Sequence, residues 1–212
     1  MTCDPGSPPP LRRWLGLTAI LAALVVVVLA ILYAGDSEPG GADAPISTAL
    51  EKAGPGWRDV ALAIDFLGEP LGSALLVGAV LTGCLLLRLP RAALLVALAV
   101  GVSVVTATLL KHVVGRTIHG PDNLSYPSGH TAFLTSLALA AGLIAAGRLG
   151  LGRAAGLGLV LGAALFAGAV MGWAQVTLGA HYPTDVLGGW CTALTTTPAT
   201  AWTLDVTRHG RR

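Results

Sequence analysis

Six stretches of this chain are apolar for long enough to approach a bilayer crossing: Trp14–Tyr33, Pro70–Leu87, Ala92–Leu110, His130–Gly147, Ala154–Leu178 and Val186–Leu204. A helix needs about 20 predominantly apolar residues to span the hydrocarbon core. Once in lipid, a segment must pair its own backbone groups, so apolar runs of this length fold as helices. Composition agrees. Charged residues make up 11% of the chain and mean hydropathy is +0.73, whereas soluble domains carry about 25% charged residues. The expected fold class is all-α, a polytopic membrane bundle of about six transmembrane helices in one domain, residues 14–205. A short tail, 1–13, precedes it and a basic tail, 206–212, follows.

Arg12 and Arg13 precede the first run, as in a signal peptide. The run is too long for a signal h-region and no clean small-x-small cleavage site follows, so it reads as a retained span. The polar segment between the first two spans, 34–69, contains an amphipathic piece, Trp57–Phe66, suited to lying along the membrane interface. The glycine series of the fifth span (Gly152, Gly156, Gly158, Gly162, Gly168, Gly172) is a helix-packing signal. The "TTTP" at Thr195–Pro198 would break a soluble helix; in a membrane, threonine hydroxyls can satisfy the freed carbonyls. Cys3, Cys84 and Cys191 show neither disulfide-framework nor zinc-type spacing, and no metal site is expected. A net charge of +2 without a basic arm points away from nucleic acid.

Lysine and arginine set the orientation. With the N-terminus inside, nine fall on inner segments (Arg12, Arg13, Arg88, Arg91, Arg148, Arg153, Arg208, Arg211, Arg212) and four on outer ones (Lys52, Arg58, Lys111, Arg116). Both termini are therefore expected in the cytoplasm. The abundance of Ala, Gly and Arg, with only Lys52 and Lys111 as lysines, suggests a GC-rich bacterial genome and hence a bacterial plasma membrane.

On this topology three polar clusters meet at the outer face: "KHVVGR" after the third span, "PSGH" opening the fourth, and "GAHYPTD" between the fifth and sixth. Ionisable groups at membrane depth are costly and mark function. Pro127-Ser128-Gly129 reads as a helix start whose unpaired amides suit an anion. Lys111 and Arg116 add positive charge, and arginine offers a fork that fits phosphate. His130 and His181 are groups able to act as nucleophile, base or acid near neutral pH. Asp185, four residues after His181, is spaced to orient its ring. His112 reads as structural, and Asp122 and Asn123 as turn-forming.

These blocks resemble the type 2 phosphatidic acid phosphatase family, within the superfamily that includes the vanadium haloperoxidases. Its three motifs are Lys-x6-Arg-Pro, Pro-Ser-Gly-His and Ser-Arg-x5-His-x3-Asp. The second stands intact as Pro127-Ser128-Gly129-His130, the third keeps His181-Tyr182-Pro183-Thr184-Asp185, and the first keeps Lys111. The likeness spans about 70–205. Ile118 and His119 replace the Arg-Pro pair, and Ala174-Gln175 replaces Ser-Arg. Arg116 then stands in for the first missing arginine, with His119 and Gln175 as secondary pocket residues.

The resemblance implies cofactor-free, metal-independent hydrolysis of a lipid phosphate or diphosphate, of the polyprenyl diphosphate or phosphatidic acid type. His181 would attack phosphorus, Asp185 would orient it, and His130 would protonate the departing oxygen. Lys111, Arg116, Ser128 and Gly129 would hold the phosphate oxygens. Each missing charged hydrogen bond is worth about 1.5–3 kcal/mol, a slowing of roughly tenfold to a hundredfold. Two other classes stay open: a phospholipid head-group binder without catalysis, and a lipid phosphotransferase.

Overall fold

A computed structural model describes residues 9–52 and 54–209. Residues 1–8 of the expected N-terminal tail and 210–212 of the basic tail lie outside that range. The described residues form eight helices: α1 (Pro9–Leu32), α2 (Asp43–Glu51), α3 (Pro55–Asp65), α4 (Pro70–Leu86), α5 (Pro90–Val114), α6 (Gly129–Arg148), α7 (Arg153–Thr177) and α8 (Pro183–His209). Among them the sole β-type pairing is an isolated bridge, Thr117 with Leu124.

Proline opens α3, α4 and α5 at their first turn, where its missing N–H costs nothing. The left-handed Gly115 ends α5, its N–H donating to the Lys111 carbonyl at 2.9 Å. That cap turns the chain out of the bundle directly after the "KH" pair.

The helices α1, α5, α6 and α7 are long and apolar enough to cross a membrane. The pair α3–α4 passes the same test together, bent by 58° at its break, giving up to five spans. The protein is thus a multi-pass helical membrane bundle. The expected sixth span lies within α8, which is long enough but too rich in threonine to pass on apolarity. Its place in the bundle explains the difference. α8 packs against α1, α5, α6 and α7, so protein surrounds much of its surface. There threonine is tolerated: Thr192, Thr195, Thr196 and Thr200 each donate to the carbonyl four residues earlier, at 2.8–2.9 Å. Thr196 also shares a 2.6 Å hydrogen bond with Ser103 of α5. The helix continues through Pro198.

Small side chains hold the interior together. One core joins Leu15, Ala22 and Val26 of α1 to Leu139 of α6, Ala164 of α7 and Leu194 of α8; another joins Val96 and Ala99 of α5 to Phe133 and Leu137 of α6. The exterior is apolar too, with Ile31, Phe166 and Val113 more than 70% exposed. A surface of this kind belongs in lipid. Of the glycines in this series, Gly168 and Gly172 serve the expected packing role, whereas a Cβ on Gly152, Gly158 or Gly162 would meet nothing within 4 Å. A Cβ on Gly168 would meet the Trp190 ring at 2.2 Å, and one on Gly172 would meet Val186 at 2.3 Å.

The segment 34–69 is more than an outer loop. α2 packs on α7 and α8, and α3 packs on α7. Trp57 meets Trp173 edge-on, ring centroids 5.9 Å apart. The amphipathic piece therefore lies along the bundle and leads into α4 through the bent corner.

Candidate active site

The polar clusters converge at one end of the bundle, where α5 ends, α6 and α8 begin, and the α3–α4 corner approaches. Ser128 is the N-cap of α6, its Oγ accepting from the Thr131 N–H at 3.3 Å. It is fully buried, and its own N–H donates to the Asp185 carbonyl at 2.9 Å. The amide is thus not free for a phosphate, whereas the hydroxyl, which acts as acceptor in the cap, keeps its own donor, with Thr131 Oγ1 3.0 Å away. The Ser128 hydroxyl caps the helix and its amide ties α6 to α8. The next amides, Gly129 and His130, begin the helix and have no intrahelical acceptor. The anion-binding capacity of the loop therefore rests on them, on the Ser128 hydroxyl and on the helix dipole.

His181 precedes α8, and Asp185 sits in that helix's first turn. Asp185 Oδ2 accepts the Tyr182 N–H at 3.0 Å, as the acidic member of a capping box does. The same oxygen lies 3.7 Å from His181 Nδ1, beyond hydrogen-bond range but pointed at the ring. His181 is 7% exposed. Burial is the main force lowering its pKa. The charges of Lys111 and His130 act in the same sense, against Asp185. A lowered imidazole pKa leaves His181 neutral near pH 7, with a lone pair available.

Arg116 has a different environment from the one expected of a phosphate ligand. Its side chain is fully buried. Nη1 donates to Asp185 Oδ1 and to Thr184 Oγ1, both at 2.7 Å. Nη2 donates to Asp43 Oδ2 at 2.8 Å. The Tyr33 and Tyr182 rings lie 4.1 and 4.4 Å from the guanidinium carbon. Both terminal nitrogens are committed to carboxylates, so Arg116 fixes Asp185 and offers no free fork to a ligand.

Sequence reasoning missed Asp43. It is fully buried. Besides Arg116, it accepts the Thr184 N–H and hydroxyl, each at 2.9 Å, and the Gly40 N–H at 3.1 Å. Nothing in "GGADAP" distinguishes it from an ordinary solvated turn residue; only the docking of α2 does.

Lys111 is half-buried and donates to the Leu124 carbonyl at 2.9 Å. It has donors left over and is charge-coupled to Asp185 and His181. Ile118 is buried, contributing no charge. His119, exposed, shares a 2.7 Å hydrogen bond through Nε2 with the Gly179 carbonyl, pinning its loop to the turn before His181. Gln175 is buried and donates through Nε2 to Asp65 Oδ1, so that donor faces a carboxylate. His130 Nε2 lies 3.6 Å from both Asp65 Oδ1 and Glu69 Oε1. His112 is exposed.

A model of the PAP2 superfamily matches residues 92–208, more than half of the chain. The chain belongs to the PAP2 superfamily. The fold agrees: it is similar to the crystal structure of the first transmembrane PAP2-type phosphatidylglycerolphosphate phosphatase from Bacillus subtilis, with a TM-score of 0.68 and 20% identity, over 92% of this chain and 98% of that one. A search of curated proteins finds no match. The family match runs from within α5 into α8 and takes in Lys111, His130 and Asp185 on those helices and His181 in the turn before α8. Asp43, Asp65 and Glu69 lie ahead of it, on the segment packed over this PAP2 site.

Proposed function

We propose that this protein hydrolyses a phosphate or diphosphate group on a membrane lipid through a phosphohistidine intermediate. The observation that carries the reading is a buried His181 whose Nδ1 faces Asp185, with Lys111 and His130 near enough for their charges to act on it. His181 Nε2 attacks phosphorus and the phosphorus–oxygen bond to the lipid breaks. His130, protonated, gives its proton to the departing oxygen. It then takes one from the water that attacks the phosphohistidine, releasing phosphate and freeing His181. Lys111 and the Gly129 and His130 amides stabilise the oxygens of the transferring group. Asp185 holds the ring and balances its charge, and Arg116 with Asp43 holds Asp185.

Nine basic residues against four support a site on the outer face, both termini in the cytoplasm. The composition supports a bacterial plasma membrane. Candidate substrates are a polyprenyl diphosphate, phosphatidic acid and phosphatidylglycerol phosphate, the last suggested by the similar solved structure. The test is phosphate release by the purified protein in detergent with EDTA, offered these three lipids side by side. Release from at least one supports the reading, and release from none rejects it for these lipids.

The specific observation favouring head-group binding without turnover is the replacement of two cationic positions by Ile118 and Gln175. A lipid bound but never cleaved in the same assay selects that reading. Transfer of phosphate to an added alcohol, in place of water, selects a phosphotransferase.

A further inference from the structure

Two carboxylates stand beside the imidazole assigned as the acid. Asp65 ends α3, Glu69 precedes α4, and His130 is the second residue of α6. Their donor atoms lie within 4.8 Å of one another. Gly68 brings the corner this close: a Cβ there would stand 2.1 Å from His130 Cδ2. His130 Nε2 is shielded from solvent and has no hydrogen-bond partner. Its 3.6 Å separations from Asp65 and Glu69 are too long for hydrogen bonds. They are close to the edge of a coordination polyhedron, since two donors on a tetrahedral zinc ion stand roughly 3.4 Å apart. Asp65 is also held by the buried Gln175, as ligating carboxylates commonly are.

The charge balance favours a cation. Among the described residues Asp65 and Glu69 form no ion pair with a lysine or arginine and face only the His130 imidazole as a basic group, while Asp43 and Asp185 are already paired with Arg116. One imidazole and two carboxylates suit a divalent transition ion such as Zn2+ or Mn2+.

We infer that Asp65, Glu69 and His130 form a divalent-cation site whose occupancy silences the enzyme. A proton and a metal ion cannot share Nε2. With the ion bound, His130 cannot carry the proton that the proposed reaction gives to the leaving group. The reaction needs no metal, and this ion works against it. The binding half stands on geometry alone; the inhibitory half rests on the proposed function.

The experiment uses the full chain without a polyhistidine tag, stripped with EDTA, exchanged into metal-free buffer and titrated with Zn2+ by calorimetry. One saturable site is expected. Glu69→Gln, a change at a half-exposed side chain, should weaken it roughly tenfold or more, because even indirect partners of a metal are worth 10–100-fold. His112→Ala should leave it unchanged. In the phosphate-release assay Zn2+ should suppress the unsubstituted protein and EDTA should restore it. Glu69→Gln should keep its EDTA turnover and resist Zn2+. Absence of a saturable site, or equal binding by Glu69→Gln, overturns the site. Binding without suppression of an active enzyme overturns the silencing. Binding by a protein that releases no phosphate even in EDTA leaves the site standing and counts against the phosphatase reading instead.

Discussion

Replacing His181 with alanine is expected to reduce phosphate release by about ten-thousand-fold or more, the scale seen when a nucleophile is removed from a covalent mechanism. The reason is chemical rather than steric. Without the imidazole no atom remains to accept the phosphoryl group, and direct attack by water loses the advantage of splitting the reaction. The fold should survive. His181 lies in the turn before α8, and that turn is held by the Tyr182 N–H on Asp185 and by Ser128 on the Asp185 carbonyl. Neither bond uses the imidazole. Unchanged thermal unfolding with lost turnover is the predicted pair of results. Turnover close to that of the unsubstituted protein would remove His181 from the mechanism.

The second large effect concerns stability. Arg116→Ala should destabilise the protein by about 3–5 kcal/mol, the usual consequence of leaving buried charges without a partner. Two carboxylates, Asp43 and Asp185, lose their shared cation in a place water does not reach. Thermal unfolding in detergent measures it. Arg116→Lys should recover only part of the loss, since one ammonium cannot reproduce the two-nitrogen fork between Asp43 and Asp185. An arginine that merely gripped phosphate would give the opposite pattern: weaker substrate binding and an unchanged melting temperature.

Much of the fold is legible in the sequence because bilayer thickness is a ruler. The apolar run Ala92–Leu110 falls inside α5, and Ala154–Leu178 matches α7 to within one residue at each end, each helix bounded by proline, glycine or arginine. The convergence of Lys111, His130 and His181 at one end follows from counting spans. The four-residue spacing of His181 and Asp185 is legible as well, but its cause is not. Asp185 faces the ring because it caps α8, with His181 just outside the helix.

What the sequence hides is decided by distant docking. Arg116 reads as a free cation in "VGR", and only the arrival of α2, some seventy residues earlier, supplies Asp43 as its partner. Asp65 and Glu69 read as ordinary polar residues before a span. The bend between α3 and α4 turns them onto His130. Ser128 reads as a ligand through both its amide and its hydroxyl, whereas its amide is consumed in joining α6 to α8 and only the hydroxyl keeps a donor. In each case local pattern gives the residue's chemistry, and tertiary contact decides what that chemistry is used for.

The most direct test of the central claim is to trap the phosphoenzyme. Purified protein in EDTA would be mixed with a lipid labelled in its terminal phosphate, denatured in alkali within the first turnovers, and examined for protein-bound label. The account predicts label that survives alkali and is released by acid, as a phosphorus–nitrogen bond requires, and that is absent from His181→Ala. Label persisting in His181→Ala, or rapid phosphate release with no labelled protein at any time, would contradict it.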